Sequence, residues 1–232
     1  YMTNLIDVPA DDKFVIVNTL FANNPIARNS STKPTWERVG QSYCAEVGPI
    51  RYFWPVRASG ARLPTATDVL TLLAVQAMAQ AHHTPPGVAE TSLAGLLDWM
   101  GMRDRQRNRD SVHNALELWQ HLGLELAGQY VPPPISRCKS QRGHCSLRIE
   151  LNEQATTLLF EKDRSLGRYA VRVQLSELPQ VYGHMAPIFN IALIACAWRD
   201  RREPTKKMQP ETKTITYSSK VWAAKLGAKT AP

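Results

Sequence analysis

The chain has 232 residues, 44% of them hydrophobic and 21% charged, with 28 Lys and Arg against 20 Asp and Glu and a formal charge of +8. That composition is ordinary for a folded chain of one large or two small domains and excludes a disordered or fibrous class. No apolar run approaches the roughly 18 residues that cross a bilayer, and a basic excess of this size favours an anionic partner, nucleic acid or acidic lipid.

The opening residues, YMTNLIDVPADDK, have neither the basic start nor the apolar core of a secretory signal. The four cysteines, Cys44, Cys138, Cys145 and Cys196, therefore read as reduced thiols of a cytoplasmic protein. FVIVNTLF (Phe14–Phe21) predicts a strand or a short helix, and NNPIARNSSTKPTWER after it a loop. IRYFWPV, from Ile50, has the aromatic and β-branched content of a strand, with Pro55 pointing to a sheet edge.

TATDVLTLLAVQAMAQA, Thr65 to Ala81, is apolar nearly all round and predicts a buried central helix. HTPPG stops it. In TSLAGLLDWMG, Thr91 or Ser92 can cap a helix with Leu93, Leu96, Leu97 and Met100 on one face and Gly101 past its end. Beyond lies a linker with Arg103, Arg105, Arg107 and Arg109 at every second position. Asn108 or Ser111 can then cap a further helix. Its apolar stripe is Val112, Ala115, Leu116, Trp119 and Leu122, with Gly123 as the exit; its other face carries Arg109, Asp110, His113, Asn114, Glu117 and His121.

LELAGQYV and SLRIEL (Ser146–Leu151) read as two strands, joined by a basic loop, PPPISRCKSQRGHC. Helix, helix, helix, strand, basic loop, strand is the order of a winged helix-turn-helix, whose third helix enters the major groove and whose wing touches the backbone or the minor groove. EQATTLLF predicts a helix, YAVRVQL (Tyr169–Leu175) a strand, and HMAPIFNIALIACAWRD a second apolar helix. The final YSSKVWAAKLG repeats the layout of ETSLAGLLDWMG: a hydroxyl cap, apolar residues at helical spacing, then Gly. The expected fold is thus α+β: an N-terminal extension (1–48), a winged helix-turn-helix domain (49–183), and a second winged-helix domain (184–232) that stops before its third helix.

With these segments laid out, the sequence resembles the plasmid replication initiator (Rep) proteins of theta-replicating plasmids, closest in layout to the TrfA type. The resemblance is carried by NTLF, DVLTLLAVQAMA, SLAGLLDWMG, NALELWQHLGLEL, LRIELNEQATTLLF and the helix Ile188–Trp198. It implies two winged-helix domains that bind repeated origin sequences (iterons) as a monomer, and recruitment of the host initiator and helicase. It also implies a homodimer through the first domain. The recognition helix of the second domain is missing from the pattern. The rival reading is a winged-helix transcriptional regulator that binds a palindromic operator as a dimer.

The candidate DNA-binding residues follow from that layout. Arg103, Arg105, Arg107 and Arg109 are placed to neutralise phosphates, which steepens the salt dependence of binding by nearly one unit each. Arg105 and Arg107 read as backbone contacts, whereas Arg109, His113 and Asn114 are candidates for base edges, Arg for guanine and Asn for adenine. Arg137, Lys139 and Arg142, together with Arg148, are assigned to the wing.

No chemistry beyond binding is expected. Cys138-x6-Cys145 beside His144 is wider than structural zinc spacing and has no second ligand pair. His82-His83 has no ligand set, so no metal or cofactor is expected. G-x-x-x-x-G-K-[ST] is absent, as is the His-hydrophobic-His layout of a nicking enzyme. The reading is of a protein that is not an enzyme.

Overall fold

In the computed structural model, residues 13–24, 26–81, 87–141, 146–161, 170–178 and 186–200 are described. FVIVNTLF is both a strand and a helix: β1 (Phe14–Asn18) runs directly into α1 (Thr19–Asn23). The switch is made by Asn18, whose side chain accepts from the Phe21 amide as an N-cap while its own amide group donates to the Leu158 carbonyl.

Five strands form an antiparallel sheet in the order β2-β3-β4-β6-β7: Glu37–Val39, Ser42–Val47, Ile50–Pro55, Gly123–Leu126 and Gln129–Val131. Alternation along β4 sends Ile50, Tyr52 and Trp54 into the core and leaves Arg51 outside. Two expectations are corrected here. β4 is not at an edge: it lies between β3 and β6, and Pro55 is tolerated because it is the last residue of the strand. LELAGQYV is not one strand but the β6–β7 hairpin, turned at Ala127 (φ 51°) and Gly128 (φ 76°), the left-handed pair that a two-residue hairpin requires. The turn between β3 and β4, at Gly48 and Pro49, stands where the sequence reading placed the start of the first domain.

α2 (Ala66–Ala81) is buried almost throughout, as its all-round apolar character requires. Around it are placed β5 (Val88–Ser92), α3 (Leu93–Trp99) and α4 (Gln106–His121). A second antiparallel sheet, in the order β5-β9-β8, joins β5 to the hairpin of β8 (Ile135–Gln141) and β9 (Ser146–Leu151). Half of the stretch expected as a basic loop, Ile135–Gln141, is therefore strand. Ile135 and Cys138 turn inward along it, opposite Leu151 and Ile149, while Arg137 and Lys139 turn outward.

α5 (Glu153–Phe160) is capped by Asn152, whose side chain accepts from the Ala155 amide. β10 (Ala170–Gln174) returns to pair with β1, from Phe14 opposite Gln174 to Asn18 opposite Ala170. α6 (Ala186–Asp200) packs against α1 and β10. Asn190 of α6 donates to the Ala27 carbonyl at 2.9 Å and Phe189 is fully buried. One buried cluster runs from Val15 and Val17 through α2, Trp119 and Leu124 to Phe189 and Cys196. Among the described residues the fold is a mixed α+β arrangement with three sheets.

Candidate nucleic-acid interface

The position of α4 begins with the start of α2. Thr65 precedes that helix, and the Asp68 carboxylate, three residues on, accepts from both the Thr65 amide and the Thr65 hydroxyl at 2.7 Å. The bond from the Thr65 amide is the half of a capping box in which the N3 side chain reaches back to the N-cap amide. Arg62 closes on the same carboxylate with two bonds, at 2.6 and 2.7 Å, and a further N–H reaches the main-chain carbonyl of Asn114, in the middle of α4, at 3.1 Å. From the buried side, Trp119 Nε1 donates to the Asp68 carbonyl at 2.7 Å. α4 is thus tied to the first turn of α2 on two sides.

α3 is capped by Ser92, which accepts from the Gly95 amide. It ends in a Schellman motif: Gly101 (φ 66°) donates to the Asp98 carbonyl and Met102 to the Leu97 carbonyl. The turn into α4 is short. Neither Asn108 nor Ser111 caps α4, contrary to expectation. The helix starts earlier, at Gln106, with Arg105 in the extended N-cap position and no side-chain cap bond. Asn108 turns back to the Arg103 carbonyl at 2.7 Å, and Ser111 bonds the Arg107 carbonyl from within the helix. Arg107 and Arg109 therefore belong to the first turns of α4 and not to a linker. Gly123 does not end α4 by a left-handed turn; it opens β6, where an added Cβ would come within 2.9 Å of the Tyr130 hydroxyl.

The stripe Val112, Ala115, Leu116, Leu118 and Trp119 is buried, so the opposite face of α4 is outside. That face exposes Gln106, Arg107, Arg109, Asp110, His113, Asn114 and Glu117, with Arg103 and Arg105 just ahead of it, also exposed. Its basic charge is concentrated at the helix N-terminus, whose first turn contains no acid and whose dipole adds partial positive charge. Arg109 is held by Asp104 through two bonds, at 2.6 and 2.7 Å. The guanidinium beside it holds the Asp104 carboxyl below the usual carboxylate range. Asp110 accepts from the Gln106 side chain at 2.7 Å.

The outer face of the β5-β9-β8 sheet carries the wing candidates. Arg137 stands across from Glu150, and Lys139 across from Arg148. Both Arg137 and Lys139 are exposed on the edge strand, and β8 is packed beside α4. Arg148, also assigned to the wing, stands on the neighbouring strand of the same hairpin. It lies within β9, where Glu150 and Glu90 both accept from its guanidinium and hold its pKa above the ordinary value. Arg142 lies outside the described residues, as do Cys145, His144 and His82-His83. Among the described residues no cluster of three or more His, Cys, Asp or Glu could hold a metal ion, and no helix is long and apolar enough to cross a membrane.

Three residues that shape this surface were not anticipated from the sequence: Arg62, Asp68 and Asp104. Thr65-x-x-Asp68 is a legible capping signal. Nothing local distinguishes Arg62, whose partners are brought to it by the packing of α4 on α2.

No protein-family model and no curated protein sequence matches the chain. Among solved structures, a crystal structure of RctB domains 2–3 is similar with a TM-score of 0.36 and 10% identity, over 55% of this chain and 54% of that one. A selenomethionine crystal structure of RctB domains 2 and 3 gives a TM-score of 0.34 and 12% identity, over 55% of this chain and 57% of that one. The chain thus spans little more than half the length of the structures it matches.

Proposed function

We propose that the chain is a non-catalytic, sequence-specific DNA-binding protein that acts in the initiation of plasmid replication by binding origin repeats. The observation that carries the reading is the order α2, β5, α3, α4, then the β6–β7 hairpin of the five-stranded sheet, then β8 and β9, with sheet order β5-β9-β8 and an outward α4 face led by four arginines. The β6–β7 hairpin aside, that order is the layout of a winged helix-turn-helix, with α4 as the helix that enters the major groove and the β8–β9 hairpin as the wing.

In this reading Arg103, Arg105 and Arg107 grip phosphates at the mouth of the groove, helped by the uncapped N-terminus of α4. His113 and Asn114 lie one and a half to two turns further along the exposed face and meet base edges. Asp110 and Glu117 share that face and would repel phosphates, so the distal half of α4 must sit over bases, where a carboxylate can accept from the cytosine amino group. Arg137 and Lys139, with Arg142, which falls between β8 and β9 in the sequence, give the wing its backbone contacts. Residues 49–183 make up the first winged-helix domain and α6 begins a second. The protein is cytoplasmic, uses no metal or cofactor, hands origin DNA to the host initiator and helicase, and forms a homodimer through the first domain when it represses.

The test is a selection from random duplexes at about 150 mM salt, a concentration at which phosphate contacts alone are strongly screened. Enrichment of a direct repeat supports the initiator. An enriched palindrome would replace it with the dimeric regulator, and no enrichment at all would remove base reading.

A further inference from the structure

The two ends of α4 differ in charge. Arg103 and Arg105 stand exposed ahead of its first turn, which contains no acid. In its last turn the one basic side chain is His121, with Glu117 exposed a turn before it. The helix dipole adds partial negative charge at that end. From Arg105 to His121 the helix is about 24 Å long, twice the width of a major groove, about 12 Å. Both ends therefore come close to phosphates when α4 enters a groove, and the C-terminal end has too little positive charge of its own to meet them.

The five-stranded sheet supplies the missing cations. His121 continues the line of Asp110, Asn114 and Glu117 along α4, and its ring meets Trp54 edge-on, with centroids 5.7 Å apart. Trp54 stands opposite Tyr43 of β3, and Tyr43 opposite Arg38 of β2, so all three lie on the α4 side of the sheet. Two strand spacings, about 10 Å, carry that row from Trp54 to Arg38. Arg57 is on the adjoining turn after β4. The Val56 amide ties this turn to the Gln41 carbonyl of the β2–β3 turn at 3.0 Å, and Trp54 Nε1 holds its Ala58 carbonyl at 3.0 Å. A few residues on, Arg62 fastens the same segment to the Asn114 carbonyl of α4.

Arg51, Arg62, Arg109 and Arg148 are each engaged by a carboxylate. Arg38 and Arg57 are exposed, and among the described residues no carboxylate pairs with either. We infer that Arg38 and Arg57 are a second phosphate clamp, which holds the duplex backbone at the C-terminal end of α4 as Arg103, Arg105 and Arg107 hold it at the N-terminal end. This rests on the reading of α4 as the groove helix. It extends the contacted surface to the β2–β3 hairpin, by a contact that reads no base.

The test titrates the full chain at several salt concentrations with the duplex it enriches from a random pool and with an unrelated duplex of equal length. Arg38→Ala with Arg57→Ala should lower the slope of log affinity against log salt by nearly two units on both duplexes. On the enriched duplex it should also strip hydroxyl-radical protection from the border opposite to the one lost in Arg105→Ala with Arg107→Ala. Arg38→Lys with Arg57→Lys should keep the slope. Arg51→Ala, on the other face of the same sheet, should leave it unchanged. A wild-type slope in the Arg38/Arg57 alanine pair, beside a lowered slope in the Arg105/Arg107 pair, overturns the second clamp and leaves the α4 reading standing. Unchanged slopes in both pairs remove the α4 reading, and the clamp with it. An equal fall per charge in Arg51→Ala would trace the effect to overall charge and also overturn the clamp.

Discussion

Trp119 Nε1 donates to the Asp68 main-chain carbonyl at 2.7 Å, so the outward-facing helix α4 is hydrogen-bonded, from its buried side, to the first turn of α2. The indole is fully buried and also fills the space between the two helices. Trp119→Ala should therefore cost about 3–5 kcal/mol of stability. Trp119→Phe, which keeps most of the ring but loses the donor, should cost clearly less, with about 1 kcal/mol of its cost from the bond itself. Urea unfolding of the three proteins checks the order. Equal losses would mean that the hydrogen bond and the ring volume cannot be separated at this site.

Arg62 works on the same junction from the solvent side. Its two bonds to Asp68 and one to the Asn114 carbonyl fix the loop before α2 against α4. The Asp68 carboxylate is almost wholly buried, and Arg62→Met leaves it with Thr65 alone. A cost of about 1–3 kcal/mol is expected for a buried acceptor that loses its charged partner. Adding Asp68→Asn should cost less than the sum of the single changes, with a coupling in the range of about 0.5–3 kcal/mol for residues in one network. Strict additivity in a double-mutant cycle would contradict the contact.

Stability should fall at alkaline pH, and Tyr52 is the reason. Its hydroxyl donates to the Ile26 carbonyl at 3.0 Å in a fully buried site. Burial pushes its pKa above the usual phenol range, against a smaller opposing effect of Arg28. A group raised in the folded state gives stability that is complete below its unfolded pKa, about 10 for a phenol, and that is lost as pH rises past it. Tyr52→Phe should cost about 1 kcal/mol near neutrality and should flatten the loss of stability above about pH 10. Tyr130, also raised by burial but half exposed, serves as the comparison. If wild type and Tyr52→Phe decline in parallel above pH 10, the buried phenol is not the cause.

The arginines ahead of α4 should act on DNA and not on folding. Arg105 and Arg107 are exposed at the helix start. Changing both to Ala should leave Tm within about a degree or two, as surface substitutions do, and should lower the slope of log affinity against log salt by nearly two units. Asp104→Asn is expected to do the opposite. It weakens the clasp on Arg109, and a released guanidinium can add nearly one unit to the slope. Binding titrations at several salt concentrations separate the two variants.

The parts of the fold that the sequence announced are those whose signals are local. α2, α3 and α5 follow from their apolar patterns, with Ser92, one of two candidate caps, and Gly101 as the exit of α3. The exposed face of α4 was legible because its buried stripe was, which placed Arg109, His113 and Asn114 outward correctly. Other features depended on tertiary context. The β6–β7 turn uses Ala127 at φ 51°, where the sequence offers no strong turn pair. β8 looked like a loop because it is an edge strand with only Ile135 and Cys138 turned inward. The start of α4 was misplaced because Arg105 stands at the cap position without a capping side chain. The pairing of Arg109 with Asp104, and of Arg148 with Glu90 and Glu150, depends on how helix and sheet are folded and is not written in spacing.

The central claim is that the exposed face of α4 reads bases, and Asn114→Ala tests it most directly. Wild type and Asn114→Ala are each taken through selection from the same random duplex pool, and affinities for the enriched sequence and its single-base variants are then compared. The account predicts that Asn114→Ala keeps its fold and its non-specific affinity but loses about 1–3 kcal/mol of discrimination, confined to one or two adjacent base pairs. Identical sequence preferences in the two proteins, at every position of the site, would contradict it.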